Sequence, residues 1–281
     1  MFDRLSRSWE LVKVSADVLR ADKELLIFPI VSGALSILVF VTFLVPMILA
    51  GLFDAHTFKS GFPAAGYVIG FLFYVVQYSV IFFCNTALVG AALIRLRGGD
   101  PTVSDGFRIA TQRLGPILGY AVIAATVGMI LRAISERSGL LGKIVVGIIG
   151  FAWSVGTYLV VPVLAVENVG PIEAIKRSAS YLRRTWGEQI IGNAGIGIVF
   201  GLFSVGVVVC GGVLFMGAAG TGSGPLMALV GLAVVLALVG LSLIGSALGG
   251  IYAAAVYRYA AEGETGGYFD AALVQDAFRA K

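Results

Sequence analysis

Six stretches of twenty or more residues carry almost no charge, at 25–52, 64–94, 115–134, 144–166, 189–216 and 225–259. At ~1.5 Å per residue, about 20 helical residues cross a ~30 Å hydrocarbon layer. A chain in lipid must pair every backbone N–H and C=O internally, so apolar runs of this length fold as helices. Composition agrees: 58% of the 281 residues are hydrophobic, 13% are charged and the mean hydropathy is +0.96. The solvent of such a surface is largely lipid. The expected fold is an all-α, polytopic membrane helical bundle of six transmembrane helices, forming a single membrane domain over 1–261 with a tail at 262–281.

What lies between the runs is patterned. The stretch 171–186 opens on Pro171, which is suited to the first turn of a helix. Ile172, Ile175, Ala179, Leu182 and Trp186 then share one stripe, and Glu173, Arg177, Ser180 and Arg184 lie opposite. Lys176 and Arg183 flank the stripe, where their stems can lie along apolar surface while their charges reach water or phosphate. The pattern predicts a helix in the membrane interface. Two more amphipathic stretches resemble it: 2–22, with Leu5, Trp9, Val12, Ala16 and Leu19 on one face, and 102–114, with Val103, Phe107, Ala110 and Leu114 on one face. The order is therefore three times the same, an interfacial helix followed by two spans, although the units share little residue identity.

Pro46 is expected to end or kink the first span and Pro162 to kink the fourth. A loop at 53–63 carries Asp54, Lys59 and His56, the single histidine. Residues 217–224 read as a Gly/Ser-rich loop, and 268–278 as a short docking helix. The N-terminal run lacks a small-residue cleavage site and reads as uncleaved.

The net charge of +4 and the pI near 9.1 would point to nucleic acid in a soluble protein. Here the basic residues sit in the connections, and no nucleic-acid partner is expected. Of the 20 Lys and Arg, 16 fall before residue 25, in 95–114, in 167–188 and after 257, and four fall in the alternate connections. The positive-inside rule then puts both termini and all three interfacial helices on the cytoplasmic side of the cell membrane.

No phosphate loop, HExxH, CxxC or nucleophile elbow occurs, so no catalytic residue, cofactor or metal site is assigned. Cys84 and Cys210 lie within apolar runs and read as small hydrophobes. The pairs Gly66/Gly70, Gly115/Gly119, Gly197/Gly201 and Gly245/Gly249 allow close helix approach. Three polar residues fall inside the spans: Gln77, Asn85 and Asn193. Such groups are costly in lipid without partners, and they serve either interhelical hydrogen bonds or a polar path. No carboxylate lies at mid-depth. Glu167, Asn168 and Glu188 gather near one boundary, where capping and a salt bridge to Arg183 or Arg184 account for them.

The opening from Phe2-Asp3-Arg4 through Leu25, the junction from Pro162 to Trp186 and the ending from Tyr257-Arg258-Tyr259-Ala260 through Phe278 resemble a family of prokaryotic six-span membrane proteins of unknown function. The resemblance covers nearly the whole chain and implies the architecture above. A looser likeness, confined to Glu167, Pro171, Ala174 and Ser178 and the basic residues after them, is to the membrane domain of some glycerophosphodiester phosphodiesterases. It implies architecture and no activity, because the acidic and histidine constellation of that enzyme has no counterpart here.

The expected role is that of a non-enzymatic membrane protein that interacts with lipids, chiefly anionic headgroups, or positions a protein partner on the cytoplasmic side. The interface residues for this role are Lys176, Arg177, Arg183, Arg184 and Trp186. The alternatives are a small-molecule or lipid permease using Gln77, Asn85 and Asn193, and an intramembrane lipid-modifying enzyme using Glu167 and Glu188.

Overall fold

A computed structural model describes the backbone of residues 2–49, 64–186 and 195–263, and the side chains of 12–49, 66–183 and 199–263. The described elements are α1 (Phe2–Ala21), a 3₁₀ turn (Lys23–Leu26), α2 (Ile27–Leu49), α3 (Ala64–Leu96), α4 (Val103–Gln112), α5 (Leu114–Arg137), α6 (Leu140–Gly156), α7 (Val160–Val166), α8 (Pro171–Trp186), α9 (Gly195–Gly220) and α10 (Gly224–Glu262). No strand occurs among the described residues. Six helical stretches are long and apolar enough to cross a membrane: Lys23–Leu49, Gly66–Leu96, Leu114–Arg137, Leu140–Val166, Val199–Gly220 and Gly224–Glu262. The molecule is a multi-pass membrane helical bundle.

Several boundaries differ from the sequence reading. α2 continues through Pro46 to Leu49, and α9 runs on to Gly220, which leaves only a short turn where a loop over 217–224 was expected. The fourth span is two helices, α6 and α7, separated at Thr157, Tyr158 and Leu159. Pro162 is the cause, although it lies inside α7. A proline lacks the N–H that would bond the carbonyl four residues back, here that of Tyr158, and its ring crowds that carbonyl. The 53–63 loop, Glu188, Asn193 and the 268–278 helix lie outside the described residues.

The second span of each unit is central: α3, α7 and α10 pack together, with α2 and α5 against α3 and α9 against α10. The shared core runs along Ala87–Leu93 of α3, Leu159–Ala165 around α7 and Ala247–Tyr257 of α10. Burial is concentrated at one end. At the other end Leu49, Leu140, Leu141 and Met216 are all exposed. A bilayer tolerates this, since lipid tails are as apolar as the side chains they touch.

The three short helices cap the tight end. Arg95 donates to the Ala21 carbonyl at 3.3 Å, Arg113 bonds Asn168, and Arg258 bonds the Leu96 carbonyl, so the ends of α1, α3, α7 and α10 share one level. α4 packs on α3, α8 on α7 with α5, α6 and α10, and α1 on α9 and α10. Each short helix thus seats on the second span that precedes it, and α1 completes the ring by seating on the last.

Each of these helices also packs one side into the bundle. In α8 the buried residues are Ala174, Ser178 and Leu182, while Ile172 and Ala179 are exposed. In α1, Ser15 and Val18 are buried beside Val12 and Leu19, and Ala16 is only half-buried. In α4, Gly106 and Ala110 face inward, and Leu114, the first residue of α5, faces out. Small residues (Ser15, Gly106, Ala110, Ala174 and Ser178) stand on the packed sides beside larger apolar ones, and let two backbones approach. The Gly pairs read from the sequence contribute less: Gly119 meets Pro171 and Gly245 meets Phe200, while Gly70, Gly115, Gly201 and Gly249 face open space.

Candidate functional site

The tight end gathers most of the described charged side chains, and its centre is Glu167. This residue follows α7 with extended backbone (φ −90°, ψ 139°), and its amide donates to the Val163 carbonyl at 2.8 Å. That geometry turns the side chain from the end of α7 toward α8 and α10. Tyr181 of α8 and Tyr257 of α10 donate to Oε1 at 2.9 and 3.0 Å, and Arg177 of α8 donates to Oε2. The Glu167 side chain is only 13% exposed, so three donors compensate a largely desolvated carboxylate. Arg177 also bonds Glu173 at 3.2 Å, one turn back on α8. Hydrogen bonds to Glu167 and Glu173 hold the Arg177 guanidinium above its ordinary pKa. Burial, and then the bond to Glu167, push the Tyr181 hydroxyl up as well, so it remains a donor. The two tyrosine rings meet edge to face at 6.1 Å.

Around this centre, arginines close helix ends. The last carbonyls of a helix lack partners and carry its negative pole, so a cation is favourable there. Arg95 serves Ala21 at the end of α1 and also bonds Gly99 and Asp100. Arg258 serves Leu96 at the end of α3, and Arg113 serves Val166 at the end of α7 at 3.5 Å while bonding Asn168. Arg97 and Glu262 pair across α3 and α10. Thr102 and Asp105 form a reciprocal cap at the start of α4, and those bonds hold the Asp105 carboxyl below its usual range.

One described carboxyl is less fully supported. Asp22, where α1 meets the first span, is 7% exposed, and its Oδ2 has no hydrogen-bond partner in the structure. Burial raises its pKa above the usual carboxylate value, opposed in part by the Glu24 backbone amide and then by Arg95.

Residues 64–268 match the model of a family of unknown function, DUF6159. The chain belongs to that family. No curated protein matches it, and these comparisons do not show the looser likeness to the phosphodiesterase membrane domain. The DUF6159 match takes in Glu167 and all of its partners, and leaves α1 and α2 before it.

In this DUF6159 chain the sequence candidates divide. Lys176 and Arg183 are exposed on α8, whereas Arg177 is committed to Glu167 and Glu173. Arg177 pairs with Glu167, and Arg183 makes no ion pair among the described residues. Arg184 and Trp186 belong to the last turn of α8, with side chains outside the described set. Gln77 and Asn85 are both half-buried on α3, eight residues or ~12 Å apart, and no hydrogen bond joins them. The Gln77 carbonyl oxygen is buried without a partner. Asn193 is outside the described residues. Among the described residues no group of three His, Cys, Asp or Glu is arranged for a metal, and Cys84 and Cys210 are free.

Tyr181, Tyr257 and Ser178 are the site residues that sequence reasoning missed. The Ala174, Ser178, Leu182 spacing of four was the available signal for α8. Nothing local connects Tyr257 to Glu167, ninety residues away.

Proposed function

We propose that this DUF6159 protein is a non-catalytic multi-pass membrane protein whose tight end faces the cytoplasm and holds anionic lipid headgroups. One observation carries the reading. The inward arginines are used up on helix ends and carboxylates, while Lys13, Lys23, Lys176 and Arg183 stand exposed, with no ion pair among the described residues. They lie on the outer sides of the amphipathic α1 and α8 and at the foot of the first span. Near an anionic leaflet each such cation contributes about 1 kcal/mol, or about fivefold in affinity. An enzymatic role finds less support: three donors hold Glu167, two on Oε1 and the Arg177 cation on Oε2, which favours a fixed, ionised carboxylate over acid or base work.

The test replaces Lys13, Lys23, Lys176 and Arg183 with Gln and measures the phosphatidylglycerol that copurifies in mild detergent. A several-fold drop is expected, with phosphatidylethanolamine unchanged; equal retention of phosphatidylglycerol by the variant would sink the reading. A permease is the second reading, favoured by the buried, unpartnered oxygen of Gln77. Solute flux into proteoliposomes that Gln77→Leu abolishes would put it first.

A further inference from the structure

The fourth span is interrupted at Thr157, Tyr158 and Leu159, eight residues or ~12 Å inside the boundary marked by Glu167. Non-helical backbone at that depth persists only where its polar groups find partners. Most find them within the turn: the Thr157 amide bonds Trp153, the Tyr158 amide bonds Val155 and the Val160 amide bonds Thr157. This last bond takes from the Gly156 carbonyl the amide that a continuous helix would give it. Gly156 O and the Leu159 N–H are therefore left over. A single side chain from another helix takes both. Ser178 of α8, fully buried, donates to Gly156 O at 2.7 Å and accepts from Leu159 N–H at 3.0 Å.

We infer that α8 is a clasp that fixes the angle of a hinged half-span, with Pro162 making the hinge and Ser178 setting it. The half-span is α6. It has no buried residue, and its neighbours are α5 and α8. The clasp has a second point of attachment, since Tyr181 and Arg177 tie α8 to Glu167 at the far end of α7. When α8 is seated, the hydroxyl bridges the two sides of the break and α6 has one direction. When the hydroxyl is withdrawn, the bridge is gone while Pro162 still forbids a continuous helix, so α6 is free to swing. With 17 residues at ~1.5 Å each, a change of roughly 20° moves the outer tip of α6 by about 9 Å.

Spin labels at Tyr67→Cys and Leu141→Cys, both exposed at the open end, report this motion in a Cys84→Ala, Cys210→Ala background. Ser178→Ala is expected to broaden the Tyr67–Leu141 distances by about 9 Å and to leave a Tyr67–Leu229 reference pair unchanged. Adding Pro162→Ala, which restores the helix, is expected to narrow them again. An unchanged Tyr67–Leu141 distribution in Ser178→Ala, or equal broadening in the reference pair, overturns the clasp. If Ser178→Ala does not fold, the unlabelled native protein decides: its Leu159 amide is expected to exchange with deuterium about tenfold or more slowly than an unprotected amide. Unprotected exchange there overturns it.

Discussion

Glu167 holds three donors from two helices on its two oxygens, and each donor depends on the others for desolvation. Removing one hydrogen-bond partner in a largely buried network costs about 1–3 kcal/mol, chiefly because the remaining group is stranded. Glu167→Gln is therefore expected to lower thermal stability in detergent more than Tyr257→Phe, since it leaves the Arg177 charge facing a neutral amide. Thermal unfolding of both variants and of the double variant checks this; additive losses would mean that the residues do not form one unit. The pH dependence follows from Tyr181. Its folded pKa lies above the ordinary 10.0, so its contribution is whole below that value and is lost as pH rises through the folded value. Asp22 has the same sign at the other end of the scale. Its raised pKa means that the neutral carboxyl fits the fold, a contribution complete below 3.8 and lost as pH rises through the shifted value. Asp22→Asn is accordingly expected to raise the melting temperature at pH 7 and to leave it unchanged below pH 4; a loss at pH 7 would show that the Glu24 amide and Arg95 together outweigh burial.

At the scale of elements, the short helices are held by small residues and by side chains from neighbouring helices. A Cβ at Gly106 of α4 would stand 2.7 Å from the Ala87 carbonyl oxygen, a backbone atom that cannot step aside, and would collide with the Phe28 ring. Gly106→Val is expected to cost about 1–3 kcal/mol or more and to expose the buried Cys84, three residues from Ala87 on α3, to thiol reagents; unchanged labelling of Cys84 would mean that α4 stays seated. The existence of α1, α4 and α8, their lengths and the proline at the start of α8 were legible in the sequence. Their inward faces were not. Hydropathy separates apolar from polar, but in a membrane both the lipid-facing and the protein-facing sides are apolar. Ile172 of α8, on the apolar stripe, is 62% exposed, and Ser178, which looks polar, is buried because a broken backbone in the preceding span needs its hydroxyl. The break itself was half legible. Pro162 announced a kink, and the displacement to Tyr158 follows from the four-residue reach of the missing bond.

At the scale of the whole molecule, the threefold recurrence of short helix and two spans becomes a ring, because α1 seats on α9 and α10 as α4 seats on α3 and α8 on α7. The recurrence could be read from charge and length alone; the closure could not, since it joins residues at opposite ends of the chain. The ring places the connections at 97–102 and 167–170 together at the tight end and the turn at Gly139 at the open end. Orientation is decided before any of this forms. The positive-inside rule acts on the chain as it inserts, so Arg113 and Arg258 count toward it even though each finishes as a cap on a helix end. With 16 of 20 cations in the tight-end connections and termini, that end is expected to remain in the cytoplasm. A reporter active only in the cytoplasm should work when fused after Gly99 and fail after Gly139. Activity after Gly139 with none after Gly99 would invert the molecule, and the exposed lysines of α1 and α8 would then face a surface without the anionic leaflet that the lipid reading requires.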